Sequence, residues 1–122
     1  MGNFTDSTLK GKTALITGAG GLLGPHHGIG LSCAGAKVVL ADIDFKGLES
    51  AKNKILEFNS KADVEIVILD ITDLDAVQRF DKIYSSKNKY IDILVNNAAL
   101  NPKMKEISGN VAGKIEDYDM DQ

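Results

Sequence analysis

A single cysteine, Cys33, is the only thiol in 122 residues. No intrachain disulfide can form and no cysteine cluster can ligate a metal, so a reducing cytoplasm suits the chain. Cys33 itself reads as a small buried hydrophobe on a helix. Positive charge is scarce as well: 14 Lys and Arg stand against 17 Asp and Glu, a net charge of −3. The lack of a basic field argues against nucleic acid as the main partner, while recognition of one phosphorylated small molecule stays open. No apolar run approaches the ~20 residues of a membrane helix, and the polar stretch Met1 to Lys10 lacks the core of a secretory signal. The expectation is a soluble, cytoplasmic protein with no membrane partner.

What is present is an alternation. With 43% hydrophobic and 25% charged residues, the composition is that of one globular domain with a real core. Short apolar β-rich runs at Thr13 to Thr17, Lys37 to Ala41, Val64 to Leu69 and Ile91 to Val95 alternate with helical periodicity. That alternation predicts an α/β layer fold, a parallel sheet wound by βαβ crossovers. The unbroken Val, Ile and Leu character predicts strands covered on both sides. Leu48, Ala51, Ile55 and Phe58 recur at helical spacing between the second and third strands. Thr72-Asp73-Leu74-Asp75 resembles a capping start for a further helix, whose apolar stripe is Ala76, Val77, Phe80, Ile83 and Tyr84. The whole, 1–122, is expected to be one domain, with 8–99 as the βαβαβαβ core and 100–122 as a loop and mobile tail.

The first strand runs into Thr17-Gly18-Ala19-Gly20-Gly21-Leu22-Leu23-Gly24, whose glycines satisfy TGxxGxxG. Glycine serves there to make the tight turn, to let backbone approach a pyrophosphate, and to bring helix against strand. The helix that follows aims unpaired N–H groups and its positive dipole end at the anion, and Pro25 suits its first turn. A second register, Gly24 to Gly30, leaves too few residues for a parallel crossover, which needs roughly a dozen. Gly28 and Gly30 therefore fall inside the helix, where both are expected to allow tight packing. His26 and His27 are exposed or capping on this reading, with contact to a ligand the alternative. Gly11-Lys12-Thr13 has the look of a triphosphate loop, but Asp6 stands where its partner glycine belongs and the motif precedes its strand, which excludes kinases and ATPases.

Asp42 closes the second strand at about the ~20-residue spacing of an acid that binds an adenosine ribose. Its carboxylate, with Ile43 behind it, would accept from a 2′-hydroxyl, a charged hydrogen bond worth ~1.5–3 kcal/mol. A 2′-phosphate would instead meet like charge, a repulsion of ~4 kcal/mol at ~4 Å and an effective dielectric of ~20. NAD is accordingly expected over NADP, unless Lys46 supplies a counter-charge. The alternative is that Asp42 only caps the turn from Asp42 to Gly47.

Together with Asp70-Ile71 after the third strand and Asn96-Asn97-Ala98-Ala99 after the fourth, these motifs resemble the short-chain dehydrogenase/reductase family over residues 8–108. The resemblance implies a Rossmann-type fold, an incomplete doubly wound parallel sheet of about four strands in the order 3-2-1-4 with helices on both faces, in which Gly18, Gly20, Gly21, Leu22, Leu23 and Gly24 hold the pyrophosphate and Asp42 with Ile43 the ribose. It further implies that Asp70 and Ile71 meet the adenine, and that Asn97, Ala98 and Ala99 stand by the nicotinamide-side ribose. Leu22 and Ala99 depart from the usual glycines. The loop looks like a variant frequent among nucleotide-sugar enzymes, and Asn101-Pro102-Lys103 resembles members that act in surface-sugar biosynthesis. The implied activity is hydride transfer between a nicotinamide cofactor and an alcohol or carbonyl, with a sugar or nucleotide-sugar among the candidates, in a homo-oligomeric whole protein.

The family's Tyr-x-x-x-Lys pair is missing: Tyr84 is followed four on by Asn88, Tyr90 by Leu94 and Tyr118 by Gln122. The expectation is that this sequence is the cofactor-binding portion of such an enzyme, truncated and silent by itself. A non-catalytic dinucleotide-binding sensor is the rival reading. An S-adenosylmethionine-dependent methyltransferase shares the glycine loop but fits Asn-Asn-Ala-Ala poorly.

Overall fold

A computed structural model describes residues 8–97. Four parallel strands, β1 (Thr13–Thr17), β2 (Lys37–Asp42), β3 (Val64–Ile68) and β4 (Ile93–Asn96), form one sheet in the order β3-β2-β1-β4. The expected order is borne out, and each strand lies within two residues of its expected start and one of its end. Three helices connect them: α1 (Gly24–Cys33), α2 (Phe45–Phe58) and α3 (Leu74–Ser86).

Because alternate strand residues face opposite sides, β1 and β2 supply two cores. Ile16, Val38 and Leu40 pack on one face with Leu48, Ala51 and Ile55 of α2. Leu15, Val39 and Ala41 pack on the other with Leu69 and Tyr84. Each large aliphatic group fully removed from water contributes about 1.5–3 kcal/mol, so these central strands carry most of the hydrophobic stabilisation. The buried face of α1 is made of small residues, Gly24, Pro25, Gly28 and Ser32, so its backbone comes close to its neighbours. A methyl group at Gly28 would collide with Ile55 Cδ1, as expected of a packing glycine. Gly30 differs from the expectation, since its Cβ position opens onto free space.

Coverage of both faces holds for β1 and β2 and fails at the edges. Ile68 on β3 and Leu94 on β4 are 57% and 63% exposed. An edge strand has a neighbour on one side only, and the described helices do not reach over these two side chains. Phe58 and Ile83, expected in apolar stripes, are likewise exposed. Phe58 is the last residue of α2, and Ile83 lies on the outer side of α3.

Tyr84 is the one residue that α3 buries fully. Its phenol donates to Glu65 Oε2 on β3 at 2.5 Å, and its ring lies 4.5 Å from that of Phe80. Lys37 Nζ and Lys89 Nζ stand 3.3 and 3.8 Å from Glu65 Oε1. Burial pushes the Glu65 carboxyl up, but the hydrogen bonds from Tyr84 and Lys37 and the two lysine charges outweigh it and hold it below its ordinary value. Burial and the same carboxylate push the Tyr84 phenol up.

Tyr84→Phe is expected to cost about 1.5 kcal/mol in urea unfolding at neutral pH, the low end for a hydrogen bond to a charged group because Glu65 is only partly buried. A lowered folded pKa means that the Glu65 contribution is present above the ordinary value of 4.5 and is lost as pH falls through the folded value. The gap between wild type and variant should therefore narrow in acid. A constant gap from pH 7 down to pH ~3 would show that the carboxylate is not the partner that matters.

Candidate functional site

Four chain segments lie at the carboxyl ends of the strands: the glycine loop after β1, Asp42 closing β2, Asp70 after β3 and Asn97 after β4. The chain winds outward from β1 through β2 to β3 and then returns to β4 on the other side, so a crevice opens where the direction of winding reverses. Open α/β sheets bind ligands at such switch points.

The loop is pinned from several directions. Gly18 has φ of 62°, a left-handed turn that glycine adopts without strain. The Ala19 amide donates to Ala41 O at 3.1 Å, and the Gly21 amide closes back on Gly18 O at 3.2 Å. The Gly20 amide donates to Asp42 Oδ2 at 2.8 Å. Across the crevice, Asn97 Nδ2 donates to Gly18 O at 3.2 Å, while Thr17 Oγ1 donates to Asn96 Oδ1 at 3.1 Å. At the far end, Gly24 meets the Ala19 backbone so closely that a Cβ would overlap the Ala19 carbonyl. The helix is thereby seated against the loop.

With those amides satisfied, Leu22 and Leu23 keep theirs free of any acceptor among the described residues. They lead into the first turn of α1, whose N-cap, Leu23, contributes no side-chain hydrogen bond. The other two helices are capped by carboxylates, Asp44 accepting from Gly47 N and Asp73 from Ala76 N. Unpaired amides, a positive dipole end and a missing cap together suit an anion brought from outside. Gly18, Gly20, Gly21, Leu22, Leu23 and Gly24 thus divide into residues that shape the loop and residues that present donors.

Asp42 does more than close a turn. Its Oδ2 holds the Gly20 amide and its Oδ1 accepts from the Asp44 amide at 3.1 Å. The helix cap belongs to Asp44, not to Asp42. A carboxylate has about four acceptor sites, so both bonds leave room for sugar hydroxyls. Ile43 beside it is 63% exposed, an apolar surface next to the charge.

Asp70 and Ile71 stand apart from this network. Asp70 Oδ1 accepts from Thr72 Oγ1 at 2.6 Å and Thr72 N at 2.9 Å, which holds its carboxyl below the usual range. Ile71 packs against the second core. Ala98 and Ala99, like Asn101-Pro102-Lys103, lie outside the described residues. His26 is exposed and His27 half-buried. Thr17, Asp44, Asn96 and Gly47 also take part in the network; the loop motif, the turn from Asp42 to Gly47 and the Asn-Asn pair mark their neighbourhood, but no local pattern joins Thr17 to Asn96 or Gly47 to Gly20.

A cleft of about 240 Å³ opens beside the loop, lined by Gly20, Gly21, Gly47 and Lys54 among others. A larger one of about 320 Å³ lies at the opposite, amino end of the strands, around Lys12, Lys37 and Asp63. Size does not decide between them, because the free amides and Asp42 are at the carboxyl end.

Residues 12–119 match the family model described as short chain dehydrogenase. Among curated proteins, the WW domain-containing oxidoreductase of Gallus gallus is 39% identical over 92 residues, 75% of this chain and 22% of that protein. Among solved structures, a metagenomic short-chain oxidoreductase in complex with NADP superposes with a TM-score of 0.66 at 30% identity, covering 76% of this chain and 41% of that one. An oxidoreductase from Haemophilus influenza with bound NAD gives 0.68 at 25% identity, covering 84% and 35%. The chain spans 22 to 40% of the length of curated relatives it matches.

Gly24→Ala is expected to lower stability by about 1–3 kcal/mol, because its methyl must displace loop backbone. Gly30→Ala, facing open space inside the same helix, should raise it by about 0.5–1 kcal/mol. Urea midpoints of the two variants check the contrast; equal shifts would mean that Gly24 is not in contact with the loop.

Proposed function

This chain belongs to the short-chain dehydrogenase/reductase family, and from that premise we propose that its residues hold the pyrophosphate and adenosine ribose of NAD for an oxidoreductase acting on an alcohol or carbonyl. The observation that carries the reading is the hydrogen bond from the Gly20 amide to Asp42 Oδ2 at 2.8 Å, which sets a carboxylate at the mouth of the loop. In that position it would accept from ribose hydroxyls while the Leu22 and Leu23 amides and the α1 dipole receive the diphosphate. When bound, the nicotinamide supplies or receives the hydride. Asn97, bonded to Gly18 O, would hold the nicotinamide-side ribose edge together with Ala98 and Ala99. Asp70 and Ile71 would border the adenine from the neighbouring strand.

The preference for NAD over NADP rests on charge. Asp42 would repel a 2′-phosphate, and Lys46 is exposed, with no ion pair among the described residues. Lys54, which lines the cleft beside Gly20 and Gly21, is a second counter-charge that could soften the repulsion. A homo-oligomeric whole protein in the cytoplasm, with a small-molecule substrate, belongs to the same proposal. No helix among the described residues is long and apolar enough to cross a membrane.

Isothermal titration of this chain with each dinucleotide tests the assignment. NAD is expected to bind at least about tenfold more tightly than NADP, a difference of about 1.4 kcal/mol. Asp42→Asn should reduce or reverse the preference. Tighter binding of NADP by the wild type would overturn the assignment to NAD.

A further inference from the structure

We propose that Gly47, in the first turn of α2, is a positioning residue for the glycine loop: its missing side chain lets the loop tip close on the Asp42 carboxylate, and so sets dinucleotide affinity. The inference rests on the cofactor reading above and adds to it a residue on a different element.

Nothing in α2 itself asks for glycine here. Gly47 is absent from the residues with positive φ, and glycine is a poorer helix former than alanine. The reason is space. A Cβ at Gly47 would lie 2.7 Å from Gly20 O and 3.0 Å from Gly20 Cα, backbone atoms of the loop tip, and 2.7 Å from Asp44 Oδ2. The Asp44 side chain can rotate away. The Gly20 backbone has no such freedom, because the Ala19 amide is held by Ala41 O and the Gly21 amide by Gly18 O.

The same atoms form a closed ring of contacts. Gly20 N donates to Asp42 Oδ2, Asp44 N donates to Asp42 Oδ1, Gly47 N donates to Asp44 Oδ1 at 3.2 Å, and Gly47 in turn abuts Gly20. A methyl group at 47 therefore enters the ring at the point where α2 meets the loop. Either the loop tip lifts from the carboxylate or α2 tilts and carries Asp44 with it. Both lengthen the Gly20 to Asp42 bond, on which the placement of the ribose acceptor relative to the free amides depends. Gly47 thus acts through the loop tip and Asp42, having no side chain of its own to offer a ligand.

The test is a double-mutant cycle on the whole chain, read by titration with NAD and by amide hydrogen exchange of unliganded protein. Gly47→Ala is expected to weaken NAD binding about tenfold or more, as for loss of a charge-assisted hydrogen bond. In an Asp42→Asn background the same change should cost less than about threefold, since the bond it disturbs is already weakened. Without ligand, the Gly20 amide should exchange about tenfold faster in Gly47→Ala, while amides of the central strand residue Leu40 hold their protection. Gly30→Ala, a helix glycine in open space, should leave affinity unchanged. Should Gly47→Ala fail to fold, the double variant is expected to fold and bind as Asp42→Asn does. Unchanged affinity and exchange in Gly47→Ala, additive losses in the cycle, or a double variant that also fails to fold would each overturn the positioning role. If the wild type binds neither dinucleotide while Gly47→Ala still speeds Gly20 exchange, the cofactor reading falls and the positioning role stands.

Discussion

One carboxylate joins the parts of this molecule that matter for its site. Asp42 closes β2, accepts the Gly20 amide of the loop after β1, and accepts the Asp44 amide at the entry to α2. A buried or half-buried carboxylate is favourable only when hydrogen bonds compensate its lost hydration, and here two backbone amides do so. The consequence is mutual: the amides fix the carboxylate, and the carboxylate fixes the loop. The donors left over, on Leu22, Leu23 and the uncapped first turn of α1, have no acceptor among the described residues, whereas the amides of Ala19, Gly20 and Gly21 are already spent.

The sheet supports this joint unevenly. Central strands β1 and β2 are buried on both faces and carry the loop and Asp42 at their ends. On one side α1 and α2 lie close, helped by the small residues of α1 and the contact between Gly28 and Ile55. On the other, α3 is held by Tyr84 reaching Glu65 on β3, with Ala76, Val77 and Phe80 only half-buried and Leu74 and Ile83 exposed. The elements that position the loop are thus the best packed. The face under α3 is the more loosely covered, and local opening is favoured where buried contacts are few.

Much of this was legible in the residues. The parallel α/β architecture follows from four apolar runs separated by helical stretches, the strand order from the family resemblance, and the loop register from the length a parallel crossover requires. Asp42 was marked by its distance from the glycines. Gly28 and Gly30 looked equivalent, and only the structure separates them: Ile55, 27 positions away from Gly28, occupies the space over one and nothing occupies the space over the other. The exposure of Ile68 and Leu94 was not legible either, because an apolar run does not reveal whether its strand ends at an edge.

The sequence by itself determined which segments become strand, loop and helix, because backbone sterics, apolar period and glycine content act over a few neighbouring residues. Tertiary structure alone decided that Gly20, Asp42, Asp44 and Gly47 close into one ring, and that Asn97 reaches Gly18. The physical reason is that hydrogen-bond and packing partners are set by distance in space. Strands paired side by side bring together atoms whose separation along the chain, 79 residues for Asn97 and Gly18, carries no local signal.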